Sequence, residues 1–451
     1  MNLTRRSTLA KRLIGGFLVA AGPFAAARAA DLPTLKAAPI AYVKTCNVGG
    51  MAGFVIPGSD TCLRISGYVN LEVVGGNVSR QSGLAFTGVP GESPVTAEEI
   101  ASGKSRDALG FTTRGQIDLD VRQQTSYGIL RGYAEILGIS SSGFETAPSE
   151  VFLNVGYIQW AGLTAGKVGS FFSYLAGGPS WYDFYSPDRV STNQPTVLAY
   201  TATFGGGFSA TLSLEDGTGA DVNGGFDGGF NNTYLGERYP DIVAVARADE
   251  QWGSVQLSGV AHNTSAVGVS GDTINLWGYA LLAGATANLP WLGPGDQVAV
   301  QGVYSHAALG YSGIPNTAFS PGDQGMNING NGLIYQLTDA LNYDVGMWST
   351  PTAWTAAAFL EHHFSSQFSV IPEISFATVR YSNSPVMIST TANSVLGGLV
   401  AHWDPVAHLD FQAGIMLEAT RQATPAAYVG PASFPTNSSG VAGTLSITRD
   451  F

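Results

Sequence analysis

Charge is scarce in this 451-residue chain, with Asp, Glu, Lys and Arg together making up 12% of it. That is about half the ~25% usual in soluble domains. Basic residues are the scarcer kind, 21 against 33 acidic ones. Such a balance argues against a nucleic-acid partner, whose phosphates demand a basic surface. Long apolar runs are missing as well. Beyond the amino-terminal stretch no segment offers about 18 consecutive apolar residues, which excludes helical membrane spans. Cysteine is limited to Cys46 and Cys62. With fifteen residues between them and no companion histidine or second cysteine pair, they do not make a zinc site.

The amino terminus reads as an export signal. Arg5, Arg6, Lys11 and Arg12 precede an apolar run from Leu13 to Ala27, and Ala27-Arg28-Ala29 gives the small-x-small cleavage pattern. Residues 1–29 are therefore expected to be removed as a signal peptide, which carries the net charge from −12 to −17. Residues 30–62 form an amino-terminal segment of unassigned structure. In an exported chain its two cysteines are either a disulfide or two free buried thiols.

Glycine is abundant at 58 residues and aromatics reach 11%. The dominant pattern is alternation with period two. In 110–122, Phe111, Thr113, Gly115, Ile117, Leu119 and Val121 share one face, while Thr112, Arg114, Gln116, Asp118, Asp120 and Arg122 share the other. One face suits lipid and the other a water-filled lumen. The alternation recurs near 63–75, 208–215, 254–262 and 408–419, and short turns alternate with long excursions. Sixteen segments result, so an all-β fold is expected: a transmembrane antiparallel barrel over 63–451 with short periplasmic turns and long external loops. The last segment ends on an aromatic, Phe451, the type of signal read by barrel-assembly machinery.

Several blocks resemble the general porins of alphaproteobacteria. They include Asp31-Leu32-Pro33, Val55 to Gly67, Tyr157 to Lys167, Leu198 to Phe204, Glu237 to Ala244, and Arg449-Asp450-Phe451. The resemblance spans essentially the whole chain after residue 30. It implies a homotrimer in the bacterial outer membrane, in contact with lipid and lipopolysaccharide, passing small hydrophilic solutes and ions by passive diffusion. It also implies a Cys46–Cys62 bridge and a third external loop, 171–195, folded into the pore.

On that basis Tyr182, Asp183, Tyr185, Asp188 and Arg189 are candidate constriction residues on the loop. Arg114, Asp118, Asp120, Arg122, Arg131 and Glu135 are candidate pore-wall residues. Opposite charges across a constriction orient solutes and set ion preference. A wall network joining the arginines to Asp118, Asp120 and Glu135 is the competing reading. Acidic residues in the expected external loops (Glu92, Glu98, Glu99, Glu145, Glu150, Asp216, Asp221, Asp227 and Asp323) favour weak cation selectivity.

No catalytic, metal or cofactor site is expected. His362 and His363 are adjacent on a strand and point to opposite faces, so they do not share an ion. Gly224 to Gly229 lacks the Lys-Ser/Thr of a phosphate loop. A barrel enzyme would need a nucleophile constellation, and no Gly-x-Ser-x-Gly elbow occurs. A substrate-specific channel or a plugged barrel remains the alternative.

Overall fold

Tight hairpins convert the alternating segments into one continuous sheet. At Ala161-Gly162 both residues take positive φ, 50° and 87°, the two-residue turn whose twist matches its flanking strands. A Cβ on Gly162 would stand 2.7 Å from the Thr201 carbonyl oxygen, so only glycine fits there.

The computed structural model describes residues 43–76, 109–143, 149–175, 194–220, 233–268, 271–313, 338–344, 346–381, 391–423 and 437–451. A small hairpin comes first, β1 (Thr45–Val48) and β2 (Met51–Val55). Then follow β3 (Cys62–Gly76), β4 (Leu109–Thr125), β5 (Gly128–Gly143), β6 (Glu150–Trp160), β7 (Leu163–Lys167), β8 (Thr196–Gly205) and β9 (Phe208–Glu215). Next are β10 (Thr233–Tyr234), β11 (Asp241–Glu250), β12 (Gly253–Val267), β13 (Thr273–Asn288) and β14 (Gln297–His306). After the short pair β15 (Leu341–Asp344) and β16 (Met347–Ser349) come β17 (Pro351–Ser365), β18 (Phe368–Tyr381), β19 (Thr391–Val406), β20 (Leu409–Gln422) and β21 (Asn437–Asp450).

Sixteen of these strands, β3–β9, β11–β14 and β17–β21, form an antiparallel barrel. It closes where β21 pairs with β3, from Ala442 opposite Gly76 to Asp450 opposite Tyr68. The terminal residue completes the seam, because Phe451 and Gly67 exchange both backbone hydrogen bonds. Each barrel strand corresponds to a segment expected from the sequence. The largest departures are β12, which runs on to Val267 instead of 262, and β5, which runs on to Gly143 instead of 139; β7 stops at Lys167 instead of 170.

The two faces sort as the alternation requires. Ile65, Val69, Leu71, Phe111 and Ile117 are exposed on the outside, while Asn70, Glu72, Thr112 and Arg114 are buried on the inside. Exposed aromatics gather at the short-turn end: Tyr127, Trp160, Phe204, Phe208, Trp252, Trp291, Phe364, Phe368, Trp403 and Phe451. Such a ring marks a membrane–water boundary. Among the described residues no helix is long and apolar enough to cross a membrane.

The amino-terminal hairpin is fastened to this end of the barrel. Cys62, at the start of β3 and fully buried, is bridged to Cys46 of β1. Phe54 and Val55 of β2 pair with Leu63 and Cys62. Cys62 lies on the same face of β3 as Asn70 and Glu72, so the bridge draws β1 toward the lumen. At the hairpin tip the Gly49 carbonyl accepts from Arg122 Nη1 at 3.3 Å.

Candidate functional site

Lumen-facing positions of β3–β6 carry most of the candidate wall residues. Arg122 and Arg131 stand directly opposite each other in the β4–β5 ladder, an arrangement that like charges disfavour. Asp120 resolves it. Its buried carboxylate accepts from Arg122 Nε at 3.0 Å and Nη2 at 2.8 Å, and from Arg131 Nε at 3.1 Å and Nη2 at 2.9 Å. Arg64, opposite Asp120 across β3–β4, approaches it at 3.7 Å. Three guanidinium groups thus share one carboxylate. Arg131 also lies over the rings of Tyr133 and Tyr157, 5.2 and 5.4 Å from their centroids. Those rings stack at 5.3 Å.

One step toward the long-loop end the sign reverses. Asp118 and Glu135 are directly opposed. Asp118 accepts from Gln116 Nε2 at 2.8 Å, and Glu135 accepts from Asn154 Nδ2 at 2.5 Å. Beyond them, buried Arg114 pairs with Glu72 and donates to Asn70 Oδ1 at 3.2 Å. Arg114 is therefore neutralised within the wall. Of the carboxylates in the competing network reading, Asp120 meets Arg122 and Arg131, whereas Asp118 and Glu135 bond Gln116 and Asn154, and Arg114 meets Glu72 instead.

The loop candidates Tyr182, Asp183, Tyr185, Asp188 and Arg189 lie outside the described residues, as do residues 1–42, the glycine-rich stretch 224–229 and, of the acidic loop residues, Glu92, Glu98, Glu99, Glu145, Asp221, Asp227 and Asp323. The approach to the loop is described and runs inside the barrel. Glu215 accepts from Ser170 Oγ at 2.6 Å and from the Phe171 amide at 3.1 Å. Gln256 Nε2 donates to the carbonyls of Phe171, Phe172 and Ser173. Tyr174 Oη bonds Ser254 and Thr286, and the Leu175 amide donates to Gln301.

A second inward element was not foreseen. After β14 the chain turns through buried Ala307 and Ala308 and a 3-10 turn at Leu309–Ser312 whose Leu309, Tyr311 and Ser312 are buried, and Thr338 to Ala340 lie buried near it. Tyr311 Oη donates to Asp241 Oδ2 at 2.6 Å, and its ring meets Phe172 edge-on at 5.1 Å. Asp241 also bonds His262 Nδ1 at 2.8 Å, while Asp339 accepts the Leu309 amide at 2.7 Å. Both loops are thereby anchored to β11–β14. The only sequence signal was Ala307-Ala308-Leu309 with Tyr311, an apolar run too short to separate from a strand end.

The rings of His362 and His363 both approach the carboxylate of Asp296, that of His363 with Nδ1 at 3.6 Å. His362 Nδ1 lies 2.5 Å from Asp296 Oδ2, and the His363 amide donates to Oδ1 at 2.8 Å. Asp296 sits in the turn before β14. The His363 amide, aided by the His362 ring, holds its carboxyl below the ordinary range. Among the described residues no cluster of three or more His, Cys, Asp or Glu is arranged to hold a metal ion.

A family model described as "Porin subfamily" matches residues 31–439. The chain is 27% identical over 372 residues to porin Omp2b of Brucella abortus (strain 2308), covering 80% of this chain and 89% of that protein. It is 28% identical over the same length to porin Omp2b of Brucella suis biovar 1 (strain 1330), with the same coverage. Among solved structures it is similar in fold to the outer membrane channel DcaP of Acinetobacter baumannii, with a TM-score of 0.60 and 11% identity, over 89% of this chain and 100% of that one.

Proposed function

Since the chain belongs to the porin subfamily, the alphaproteobacterial general porins, and is an outer-membrane channel of that type, we propose that small hydrophilic solutes and ions cross it by passive diffusion with weak cation preference. The observation that carries this reading is the lumen lining. Polar and charged side chains occupy the inner positions while apolar ones face out. The wall from β9 to β20 adds Glu215, Asp241, Asp249, Glu361, Glu373 and Asp410 on inward positions, against the single inward guanidinium of Arg247 among the described residues. The external Glu150 and Asp216 add to the same sign. An excess of carboxylates enriches cations in the pore mouth. Screening beyond ~8 Å at physiological salt keeps the preference weak.

Folding of loop 171–195 into the pore is supported by the anchoring of Ser170 to Leu175 on the inner wall. Tyr182, Asp183, Tyr185, Asp188 and Arg189 would then stand nearest the opposite wall. Reversal potentials across a KCl gradient test the selectivity. A positive result is a cation preference that falls when Asp183 and Asp188 are replaced by Asn. An anion preference in the unmodified protein rejects it.

A homotrimer is part of the same proposal. β7 has five residues, about half of the 9–11 a membrane strand needs. Among the described residues, β6 above Gly156 has no ladder partner on the β7 side, yet Val151 and Leu153 remain exposed there. The Leu153 carbonyl accepts from Lys167 Nζ at 3.4 Å, but a strand edge without a ladder partner facing lipid needs cover by protein. A second copy would supply it. Export through cleavage after Ala29 and recognition of Phe451 by assembly machinery complete the reading.

A further inference from the structure

The wall charges of β3–β6 are layered along the pore axis. The guanidinium groups of Arg122 and Arg131, from the row nearer the short-turn end, and of Arg64, from the same row as Asp120 and Tyr133, converge on the one carboxylate of Asp120. The inward row beyond that of Asp120 and Tyr133, toward the loops, is Asp118 and Glu135, which accept from the neutral side chains of Gln116 and Asn154. Successive inward rows on a strand are about 6.7 Å apart. Positive and negative ends therefore face the lumen at the separation of a small zwitterion plus its hydrogen bonds. The stacked rings of Tyr133 and Tyr157 lie beside both rows. Tyr133 faces Asp120 across the ladder and approaches Glu135 at 3.4 Å.

We propose that this wall is a transient binding site for zwitterionic amino acids, preferring those with an aromatic side chain. The carboxylate would rest on Arg64, Arg122 and Arg131, the ammonium on Asp118 and Glu135, and the ring against Tyr133 and Tyr157. The groups are only partly exposed and already fixed by one another, so little side-chain freedom is lost on binding. A solute with one charge satisfies one row and leaves the other to water. The proposal rests on the channel reading above.

The test uses the full-length mature protein in a planar bilayer and reads ion-current interruption. The probes are L-phenylalanine, 3-phenylpropionate and phenethylammonium, which share a ring and differ in their charged groups. L-Phenylalanine is expected to half-saturate at a concentration at least about tenfold below either single-charge analogue, the loss of one charge-assisted contact. In Asp118→Asn/Glu135→Gln, checked for barrel folding by heat-modifiable migration, L-phenylalanine should fall to the level of 3-phenylpropionate. Equal half-saturation for all three probes in the unmodified protein, or 3-phenylpropionate matching L-phenylalanine there, overturns the site while leaving the channel intact. Absence of any KCl conductance would instead overturn the channel reading.

Discussion

Replacing Asp120 with Asn removes the charge that holds three arginines together and preserves the shape of the side chain. One oxygen remains to accept from Arg122 Nε and Arg131 Nε. The amide nitrogen then faces Arg122 Nη2 and Arg131 Nη2, now 2.8 and 2.9 Å from Oδ2, and donor meets donor. Hydrogen bonds to charged groups contribute ~1.5–3 kcal/mol each. Asp120 is 1% exposed, but the Arg122 and Arg131 side chains are 18% and 24% exposed. Lumen water therefore recovers part of the loss, and about 2–4 kcal/mol of destabilisation is expected. The midpoint of the heat-modifiable gel shift should drop by several degrees. The row also gains one net positive charge, so the reversal potential in a KCl gradient should move toward anions. An unchanged midpoint would mean that the network is solvated and contributes nothing. A move toward cations would mean that these guanidinium groups do not face the pore.

Other expectations bear on the remaining fastenings. Tyr311→Phe deletes the 2.6 Å bond to buried Asp241, costing about 1–3 kcal/mol. It should loosen the inward element after β14, read as added open-channel current noise, and unchanged noise would count against an anchoring role. Cys46→Ser/Cys62→Ser opens a loop of sequence separation 16, with a loss of ~3 kcal/mol on the chain-entropy account. Faster proteolysis between residues 43 and 62 is the readout. A depressed carboxyl stabilises the fold above its unfolded-state value and loses that contribution as pH falls through its folded value. The Asp296 clamp on β17 should therefore hold at neutral pH and release as pH drops below the ordinary 3.8. Exchange of the His363 amide should show this acid dependence, and Asp296→Asn should abolish it.

The barrel was legible because its two solvents impose a strict period. Residues 110–122 alternate lipid-facing and lumen-facing chemistry without a break, and the structure sorts them the same way. Two-residue turns such as Ala161-Gly162 fixed the register. The interior was less legible. Alternation places Arg114, Arg122 and Arg131 on the inner face but does not say which carboxylate each meets. Arg114 meets Glu72 of the neighbouring strand, a pairing set by β3–β4 register. The end of β7 depends on Ser170 and Phe171 finding Glu215, forty-odd residues later in the chain. The element at Leu309–Ser312 is held by Asp241 and Asp339, partners that no local pattern announces. The β1–β2 hairpin had too few alternating residues to stand out. Its place is fixed by the bridge to Cys62, the pairing of Phe54 and Val55 with β3 and the Arg122 bond to Gly49, none of which its own residues announce.

The central claim is that the closed barrel encloses a continuous aqueous path. Single-channel recording of the purified protein in a planar bilayer, in symmetric KCl, tests it most directly. The account predicts stepwise, nearly ohmic conductance, with three equal levels for each inserted trimer. A correctly folded, heat-modifiable barrel that inserts and carries no current would contradict it.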